Sequence, residues 1–372
     1  MEKIDSTIVI SVWPLGDDKM FTLNRRQFVA SACSPLLVPR RFVADDAPED
    51  SGKVGFQEIT AKSESAVRDG MKWLNRAKAL DGGYGVDVGQ RSDIGCTAMV
   101  GMAMLSRGYL PHGKEKLKVR QIVEFLLKKI KTMPAGNITS ETNTQLQTKI
   151  GNQAHSFMAL LFLSQVMGES HRTKLTREGA QKLVDAVVKS QLADGSWGRT
   201  SWAPVLGTVM GWISLRSSHF AGIDVKGSPD RTAAHLIKKM EAQLDNRRHW
   251  MHKLYKDAAG IRVLYAMGKE EEPVVKRAFS QSVDLVTKDK TAFNQAGGEE
   301  YLAFHLITET MLQKGGEDWA TWFPEVRDKI ISVQNQDGSW TGHHCITSRT
   351  FCTAAACLVL SAPNRFLPIS QL

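Results

Sequence analysis

The sequence predicts an all-α protein in which six helical hairpins close into an (α/α)6 toroid, preceded by a signal-like N-terminal segment. Three observations lead to this fold class. The phrase Q-x-x-D-G-S-W occurs twice, its copies begin 143 residues apart, and charged amphipathic stretches alternate with apolar ones beyond residue 56. The separation divides into three units of about 48 residues, a period that is typical of stacked helical repeats.

Residues 1–55 are predicted to be a leader, mostly disordered, that is separate from the toroid. Arg25 and Arg26 precede a short apolar run, which is the layout of a twin-arginine (Tat) export signal. Translation from Met20 rather than Met1 would give this signal its usual length. The sequence therefore predicts an exported, periplasmic protein, with a disordered cytoplasmic leader as the alternative.

The toroid is predicted over residues 56–368, as alternating outer and inner helices. Outer helices show one polar face at a period of 3.6 residues, whereas inner helices are apolar nearly all round and must be buried on both sides. The predicted outer helices are Glu64–Ala77, Lys114–Lys131, Thr176–Gln191, Pro229–Leu244, Glu272–Val286 and Trp319–Gln334. The predicted inner helices are Asp93–Leu105, Asn152–Val166, Val205–Ser217, Ala258–Met267, Glu300–Gln313 and Arg349–Leu360. Six pairs without a polar capping repeat at either end favour a closed ring over an open superhelix.

The repeated phrase stands at the end of outer helices, and we interpret it as a structural staple. Its Asp-Gly step makes a turn with glycine at positive φ, its Gln reaches backbone groups at the helix end, and its Trp covers the joint. A degraded third copy has Lys in the Gln position and Tyr in the Trp position. The residues with this role are Gln191, Asp194, Gly195 and Trp197, then Gln334, Asp337, Gly338 and Trp340, and in the degraded copy Asp81, Gly82 and Tyr84.

The composition is that of an ordinary globular chain, with 42% hydrophobic and 23% charged residues. No apolar run approaches the ~18 residues that cross a bilayer, so no transmembrane segment is expected.

Much of the net charge of +9 lies on Lys114–Lys131 and Lys238–Lys256, where basic residues share helices with an apolar stripe. A solvated helix face accounts for them, with an anionic partner or membrane surface as the alternative. No nucleic-acid-binding motif accompanies them.

The phrase Q-x-x-D-G-S-W at the ends of outer helices resembles the QW repeat of squalene cyclases and the related repeat of protein prenyltransferase β subunits. Those proteins share the six-hairpin α/α toroid, and the resemblance covers about residues 56–368. Ala154–Leu163, Trp319–Pro324 and Pro363–Ile369 are similar to bacterial prenyltransferase/squalene-oxidase-repeat proteins, which are often exported. The resemblance implies the toroid architecture.

The chemistry of these relatives is not carried over. Squalene-hopene cyclases protonate an alkene with a carboxylic acid of a D-x-D-D-T-A motif at the top of an inner helix. The nearest string here is Asp93–Ala98, in which Gly95 stands at the central acid position and Cys96 at the last. Protein prenyltransferases hold zinc through a D-x-C pair and a distant His, and the sequence contains no D-x-C.

Four polar residues on or beside predicted inner helices are candidate catalytic groups, namely Asp93, His155, His305 and Glu309. His305 and Glu309 are four residues apart and share a helix face. This arrangement suits an acid/base couple directed at the centre of the ring, or a hydrogen-bonded structural pair.

A candidate metal site lies where the ring closes. Helices one and six become neighbours there, so the turn with His343, His344 and Cys345 comes close to Asp93 and Cys96. Two His, a Cys and an Asp form an acceptable tetrahedral zinc set, with unrelated polar loop residues as the alternative. No other cofactor is expected.

Together these features predict an exported toroid that binds a hydrophobic or isoprenoid-like ligand, or a protein partner, without proton-initiated cyclase chemistry. Trp202, Trp212, Tyr301 and Phe351 are expected to line its central cavity. One alternative is a divergent cyclase or prenyltransferase-type enzyme, with or without a metal, that uses the polar residues of the rim. Another is an unrelated enzyme on a helical ring, for instance one that acts on polysaccharide.

Overall fold

The computed structural model of the chain describes residues 57–226, 229–242, 254, 259–288 and 293–371. The predicted leader over residues 1–55, with its twin arginine, lies outside these residues. Among the helices of the described part, none combines the length and the apolarity that crossing a membrane requires.

The described part of the chain is all-α apart from one short hairpin, as predicted. The outer helices are α1 (Ala61–Ala77), α3 (Lys116–Lys131), α6 (Thr173–Lys189), α8 (Pro229–Glu241), α10 (Pro273–Lys288) and α12 (Gly316–Ser332). The inner helices are α2 (Ile94–Ser106), α5 (Ala154–Val166), α7 (Pro204–Phe220), α9 (Ala259–Ala266), α11 (Gly298–Lys314) and α13 (Arg349–Ser361). The predicted helices are present, with their ends shifted by a few residues.

A β-hairpin and a short α-helix were not predicted, and each precedes an inner helix. The strands β1 (Tyr84–Gly85) and β2 (Ser92–Asp93) form an antiparallel pair before α2. A short helix, α4 (Gln145–Ile150), precedes α5 and begins with a capping box between Thr144 and Gln147. Elements this short do not complete the periodic pattern by which a helix or strand is recognised in sequence.

The inner helices pack side by side in chain order from α2 to α13, and α13 packs in turn against α2. The ring of inner helices is therefore closed, and the predicted toroid is confirmed. The first outer helix, α1, contacts both α12 and α13, so the first and last hairpins are joined in both layers. Arg349 at the start of α13 reinforces this joint, because its guanidinium lies 4.9 Å from the centre of the Trp73 ring and pairs with Asp337.

Burial follows the predicted two-layer arrangement. Every residue of α2 and α5 is buried, as is the segment of α11 from Gly298 to Met311. These helices therefore pack both towards the outer layer and towards the axis of the ring. Outer helices bury a single face, such as that of Val119, Ile122 and Val123 on α3.

Trp202 does not line the centre of the ring as expected. It lies in the loop before α7, and its side chain is 72% exposed. The other three aromatic residues expected there, Trp212, Tyr301 and Phe351, are buried. The difference arises because Trp202 precedes Pro204, the first residue of the inner helix.

The second copy of the repeated phrase connects its own turn to the next outer helix. Gln334 Nε2 donates to the Ala66 carbonyl on α1 and to the Gly338 carbonyl in the turn, both at 2.9 Å. Trp340 Nε1 donates to the Ile330 carbonyl at 2.8 Å, which satisfies a carbonyl in the last turn of α12. Gly338 has a φ of +91°, which favours glycine.

The other copies also reach the following outer helix. Gln191 Nε2 donates to Thr232 Oγ1 on α8 at 3.2 Å. In the degraded copy, Lys78 Nζ donates to Gln121 Oε1 on α3 at 2.9 Å. The phrase thus links one hairpin to the next around the outside of the ring.

Candidate functional site

The N-terminal ends of inner helices meet at one rim of the ring, together with α4. The Gly95 N–H donates to His155 Nδ1 at 3.2 Å and so connects α2 to α5. The Gly298 N–H donates to the Ile346 carbonyl at 2.8 Å and connects α11 to the loop before α13. The polar side chains of this rim gather at two helix starts, those of α2 and α11, with partners from α4, α5 and the loop before α13.

At the start of α2, the structure brings together the predicted residues Asp93 and His155. Asp93 Oδ1 accepts from the Cys96 N–H at 2.7 Å, which makes Asp93 the N-cap of the helix. His155 Nδ1 lies 3.8 Å from Asp93 Oδ2, beyond hydrogen-bond distance, and instead accepts from the Gly95 N–H. These partners assign the ring proton to Nε2, which lies 3.0 Å from Thr144 Oγ1.

Position 95 has no space for a side chain. A Cβ atom at Gly95 would lie 2.3 Å from Leu146 Cδ1 and 3.2 Å from His155 Nδ1. Leu146 belongs to the short helix α4, so this helix occupies the place into which a residue at position 95 would project.

At the start of α11, two consecutive carboxyl groups are fully buried. Glu299 Oε1 lies 2.9 Å from Lys149 Nζ, and the two side chains are 0% and 4% exposed. Glu299 Oε2 accepts from the Ile346 N–H at 3.2 Å. A buried ion pair of this kind needs such additional hydrogen bonds to offset the desolvation of its charges. We call Lys149, Glu299, Glu300, His344 and Cys345 the rim cluster.

Glu300 differs from Glu299 in its protonation. Burial, followed by repulsion from Glu299, raises the pKa of Glu300 to about 9, so this carboxyl is protonated at neutral pH. Its Oε2 lies 2.7 Å from the Gly297 nitrogen, whose N–H donates to it, and 3.6 Å from His344 Nε2. Its Oε1 is buried without a hydrogen-bond partner among the described residues.

His344 and Cys345 enter the cluster from the loop before α13. His344 Nδ1 lies 3.3 Å from Glu299 Oε1. Cys345 is exposed, and its φ of +49° lies in the left-handed region that non-glycine residues rarely adopt. Partial burial and the nearby Glu299 raise the pKa of the Cys345 thiol, against the opposing effect of Lys149. One donor atom from each of Glu299, His344 and Cys345 lies within 4.8 Å of the other two.

This group differs from the predicted metal set. His344 and Cys345 come together, but the third donor is Glu299, and the side chain of His343 is exposed. Cys96 is buried against Ser348, with 3.3 Å between Sγ and Oγ, and Asp93 caps α2. A zinc site therefore stays a prediction, with a changed donor set.

The predicted pair of His305 and Glu309 lies apart from the rim. Along α11, Glu309 follows Glu300 by nine residues, which is about 14 Å at the rise of an α-helix. The Glu309 carboxylate lies 3.7 Å from His305 Nε2 and 3.5 Å from Arg262 Nε. Arg262 also donates to the Ile369 carbonyl at 2.8 Å, so the pair is covered by the C-terminal segment. Burial lowers the pKa of His305, which keeps this ring neutral.

Sequence reasoning missed Lys149, Glu299 and Glu300. A usable signal was the Glu-Glu pair at the start of a helix whose next four residues, Tyr301 to Phe304, are apolar. Charged residues at such a position are expensive to bury unless they are paired. Lys149 carried no comparable signal, because its helix was not predicted.

No family model and no curated protein matches the chain. Among solved structures, the type II terpene cyclase MstE from Scytonema, in its apo form, matches with a TM-score of 0.54 at 16% sequence identity. The match covers 83% of this chain and 100% of that chain. The chain therefore has a terpenoid cyclase-like fold, and at this identity the likeness concerns the fold alone.

Proposed function

We propose that this toroid binds an amphipathic, isoprenoid-like ligand at the rim and does not start a reaction by protonating an alkene. One observation carries the proposal, namely that position 95, where the resemblance to squalene cyclases expects the acid, is a glycine, and a Cβ atom added there would lie 2.3 Å from Leu146 Cδ1. Alkene protonation requires a strongly acidic carboxyl group. Glu300 is not a replacement, because its raised pKa makes it a weaker acid than an ordinary glutamate.

Exposed apolar side chains beside the rim cluster support a ligand with both a polar head and an apolar chain. Trp202 is 72% exposed, and the N–H of the next residue, Ala203, donates to the Lys149 carbonyl at 2.8 Å. Val86 is 43% exposed, and its carbonyl accepts from the hydroxyl of Ser348, the N-cap of α13, at 2.8 Å. The rim thus combines charged and hydrogen-bonding groups with apolar neighbours, a combination that orients an amphipathic molecule.

Calorimetric titration of the full chain with farnesol, an isoprenoid alcohol, tests the binding site. Because Trp202 supplies a large apolar surface, we expect Trp202→Ala to weaken binding about 10-fold, or ~1.4 kcal/mol. Leu175→Ala is the matched control, since Leu175 is also exposed but lies at the start of α6. Equal affinities for the two variants would contradict a site at this rim.

Incubation with squalene tests the absence of proton-initiated chemistry. We expect gas chromatography with mass spectrometry to recover unchanged squalene from the wild-type protein. A cyclic product that persists in wild type and is lost in Glu300→Gln would contradict the proposal and identify an acid at the rim.

A second candidate is a zinc-dependent enzyme, and the spacing of Glu299, His344 and Cys345 favours it. Oxygen, nitrogen and sulfur donors within 4.8 Å of one another suit tetrahedral zinc. Zinc held there would supply Lewis-acid chemistry at the rim. Lys149 competes with it, because its ammonium already pairs with Glu299 at 2.9 Å and reaches Cys345 at 3.4 Å.

Metal analysis of protein purified under reducing conditions distinguishes the two candidates. For the zinc-dependent enzyme we expect stoichiometric zinc that is lost in His344→Ala and Cys345→Ala. His343→Ala is the matched control, because its exposed side chain is outside the donor group, and should retain the metal. Wild-type protein without zinc would remove this candidate.

Export through the twin-arginine segment is part of the proposal and rests on Arg25 and Arg26. We expect the mature protein to begin after the apolar run that follows them. N-terminal sequencing of protein recovered from the native host checks this, and an intact Met1 on all molecules would contradict export by cleavage.

A further inference from the structure

One pair in the rim cluster combines an amine and a thiol. Lys149 Nζ donates to Cys345 Sγ at 3.4 Å, across 196 positions of the sequence. Cys345 is exposed, whereas Cys96, Cys352 and Cys357 are buried. Of the cysteines in the described ranges, Cys345 is therefore the one that a dissolved oxidant reaches most easily.

Two hydrogen bonds hold the segments of this pair side by side. Gln145 at the start of α4 donates through Nε2 to Thr347 Oγ1 at 2.8 Å, and its Oε1 accepts from the Thr347 N–H at 3.0 Å. Lys149 is about one turn further along α4, and Cys345 is two residues before Thr347. The amine and the thiol are thus positioned before any reaction, which raises the rate of a step between them.

We propose that peroxide joins Lys149 and Cys345 through a covalent sulfur–nitrogen bond. First, the Cys345 thiol gives up its proton and the thiolate attacks a peroxide oxygen. The O–O bond breaks, sulfur is oxidised by two electrons to a sulfenic acid, and the hydroxide that leaves takes up the thiol proton to become water. Second, the unprotonated Lys149 amine attacks sulfur, the S–O bond breaks, and the hydroxyl group leaves as water with one amine proton. Sulfenic acids condense with nitrogen in this way. One thiol, one amine and one hydrogen peroxide give the crosslink and two waters.

A neighbouring carboxylate positions the amine. Glu299 Oε1 lies 2.9 Å from Lys149 Nζ and keeps this nitrogen beside Cys345 Sγ.

The crosslink would tie α4 to the loop before α13 and replace the ammonium of Lys149 by a neutral nitrogen. Glu299 would then lose the partner of its buried ion pair. This modification rests on the Lys149 and Cys345 pair alone, and it stands whether or not the rim binds an isoprenoid.

Peptide mass spectrometry of the full chain after treatment with hydrogen peroxide tests the inference. We expect the peptides that contain residues 149 and 345 to be joined, with the loss of two hydrogen atoms from their summed mass. Lys149→Arg keeps the positive charge and Cys345→Ser keeps the size, and both should abolish the joined peptide. Cys352→Ser is the matched control, because it leaves the pair intact and should retain the joined peptide.

The wild-type protein by itself can overturn the inference. If Cys345 proceeds to sulfinic acid while the two peptides stay separate, the crosslink does not form. A joined peptide of equal abundance in Lys149→Arg would show that another nitrogen reacts. Circular dichroism of each variant before oxidation ensures that the comparison is made between folded proteins.

Discussion

The starts of α2 and α11 occupy equivalent places in the ring, yet they differ in how their polar groups are satisfied. At α2, Asp93 and His155 each bind a backbone N–H of the helix, and position 95 carries no side chain. At α11, Glu299 and Glu300 place two carboxyl groups in the interior, where side chains from other elements meet them. The first start is capped and closed. The second is charged and retains buried atoms that have no hydrogen-bond partner within the described part of the chain.

One element accounts for both halves of this difference. Leu146 and Lys149 lie three residues apart on α4, a spacing that brings side chains to the same side of a helix. Leu146 fills the space beside Gly95, while Lys149 pairs with Glu299. A six-residue helix inserted before α5 thus closes one helix start and neutralises the other. Polar groups have therefore been concentrated at α11 rather than at the position that the resemblance to cyclases predicts.

The largest expected effect comes from removing the buried ion pair at the start of α11. Glu299→Ala leaves the Lys149 ammonium buried without its carboxylate, so we expect the free energy of unfolding to fall by about 3–5 kcal/mol. Urea unfolding measures this loss. The exposed pair of Asp284 and Lys288 provides the control, and Asp284→Ala should cost less than ~1 kcal/mol. Similar losses for the two variants would mean that the Glu299 pair is not buried in solution.

An effect of intermediate size is expected from adding a side chain at position 95, at the start of α2. Gly95→Ala forces a Cβ atom against Leu146, and overpacking of this kind costs about 1–3 kcal/mol. In a Leu146→Ala background, the same substitution should cost markedly less, because the clashing methyl group is gone. Gly113→Ala is the control: no atom lies nearer than 3.6 Å to its added Cβ, so we expect a change within about 0.5 kcal/mol. Thermal or urea unfolding that shows no coupling between positions 95 and 146 would contradict the proposed filling.

A pH-dependent effect, at most about 1.4 kcal/mol for each pH unit, concerns protonation at the charged start. The folded-state pKa of Glu300 is raised to about 9, well above its unfolded value. At a pH between these two pKa values, the folded protein holds a proton on Glu300 that the unfolded protein has released. The stability that Glu300 contributes is complete below its unfolded pKa and is lost as the pH rises through the folded pKa. We expect wild-type stability to fall between pH 5 and 9 more steeply than that of Glu300→Gln, as measured by urea unfolding across this range. Parallel pH profiles would show that Glu300 is ionised in the folded state.

Much of the fold could be predicted from the sequence, because it depends on local patterns. The alternation of amphipathic and apolar stretches identified each of the helices α1 to α13 except α4. The repeat indicated that these helices form hairpins. The site was predicted less completely. His344 and Cys345 were recognised as polar residues of a turn, but their partners Lys149 and Glu299 come from other elements, 196 and 46 residues away from Cys345. No periodicity connects residues at such separations.

The sequence by itself determined the secondary structure, the hairpin order and the replacement of an acid by Gly95, since each of these depends on residue type and short-range spacing. Only the tertiary structure decided which polar groups share a site. Closure of the ring brings the loop before α13 to the starts of α2 and α11, and α4 inserts Leu146 and Lys149 between them. Burial then sets the chemistry, because the low polarity of the interior pairs Lys149 with Glu299 and keeps Glu300 protonated.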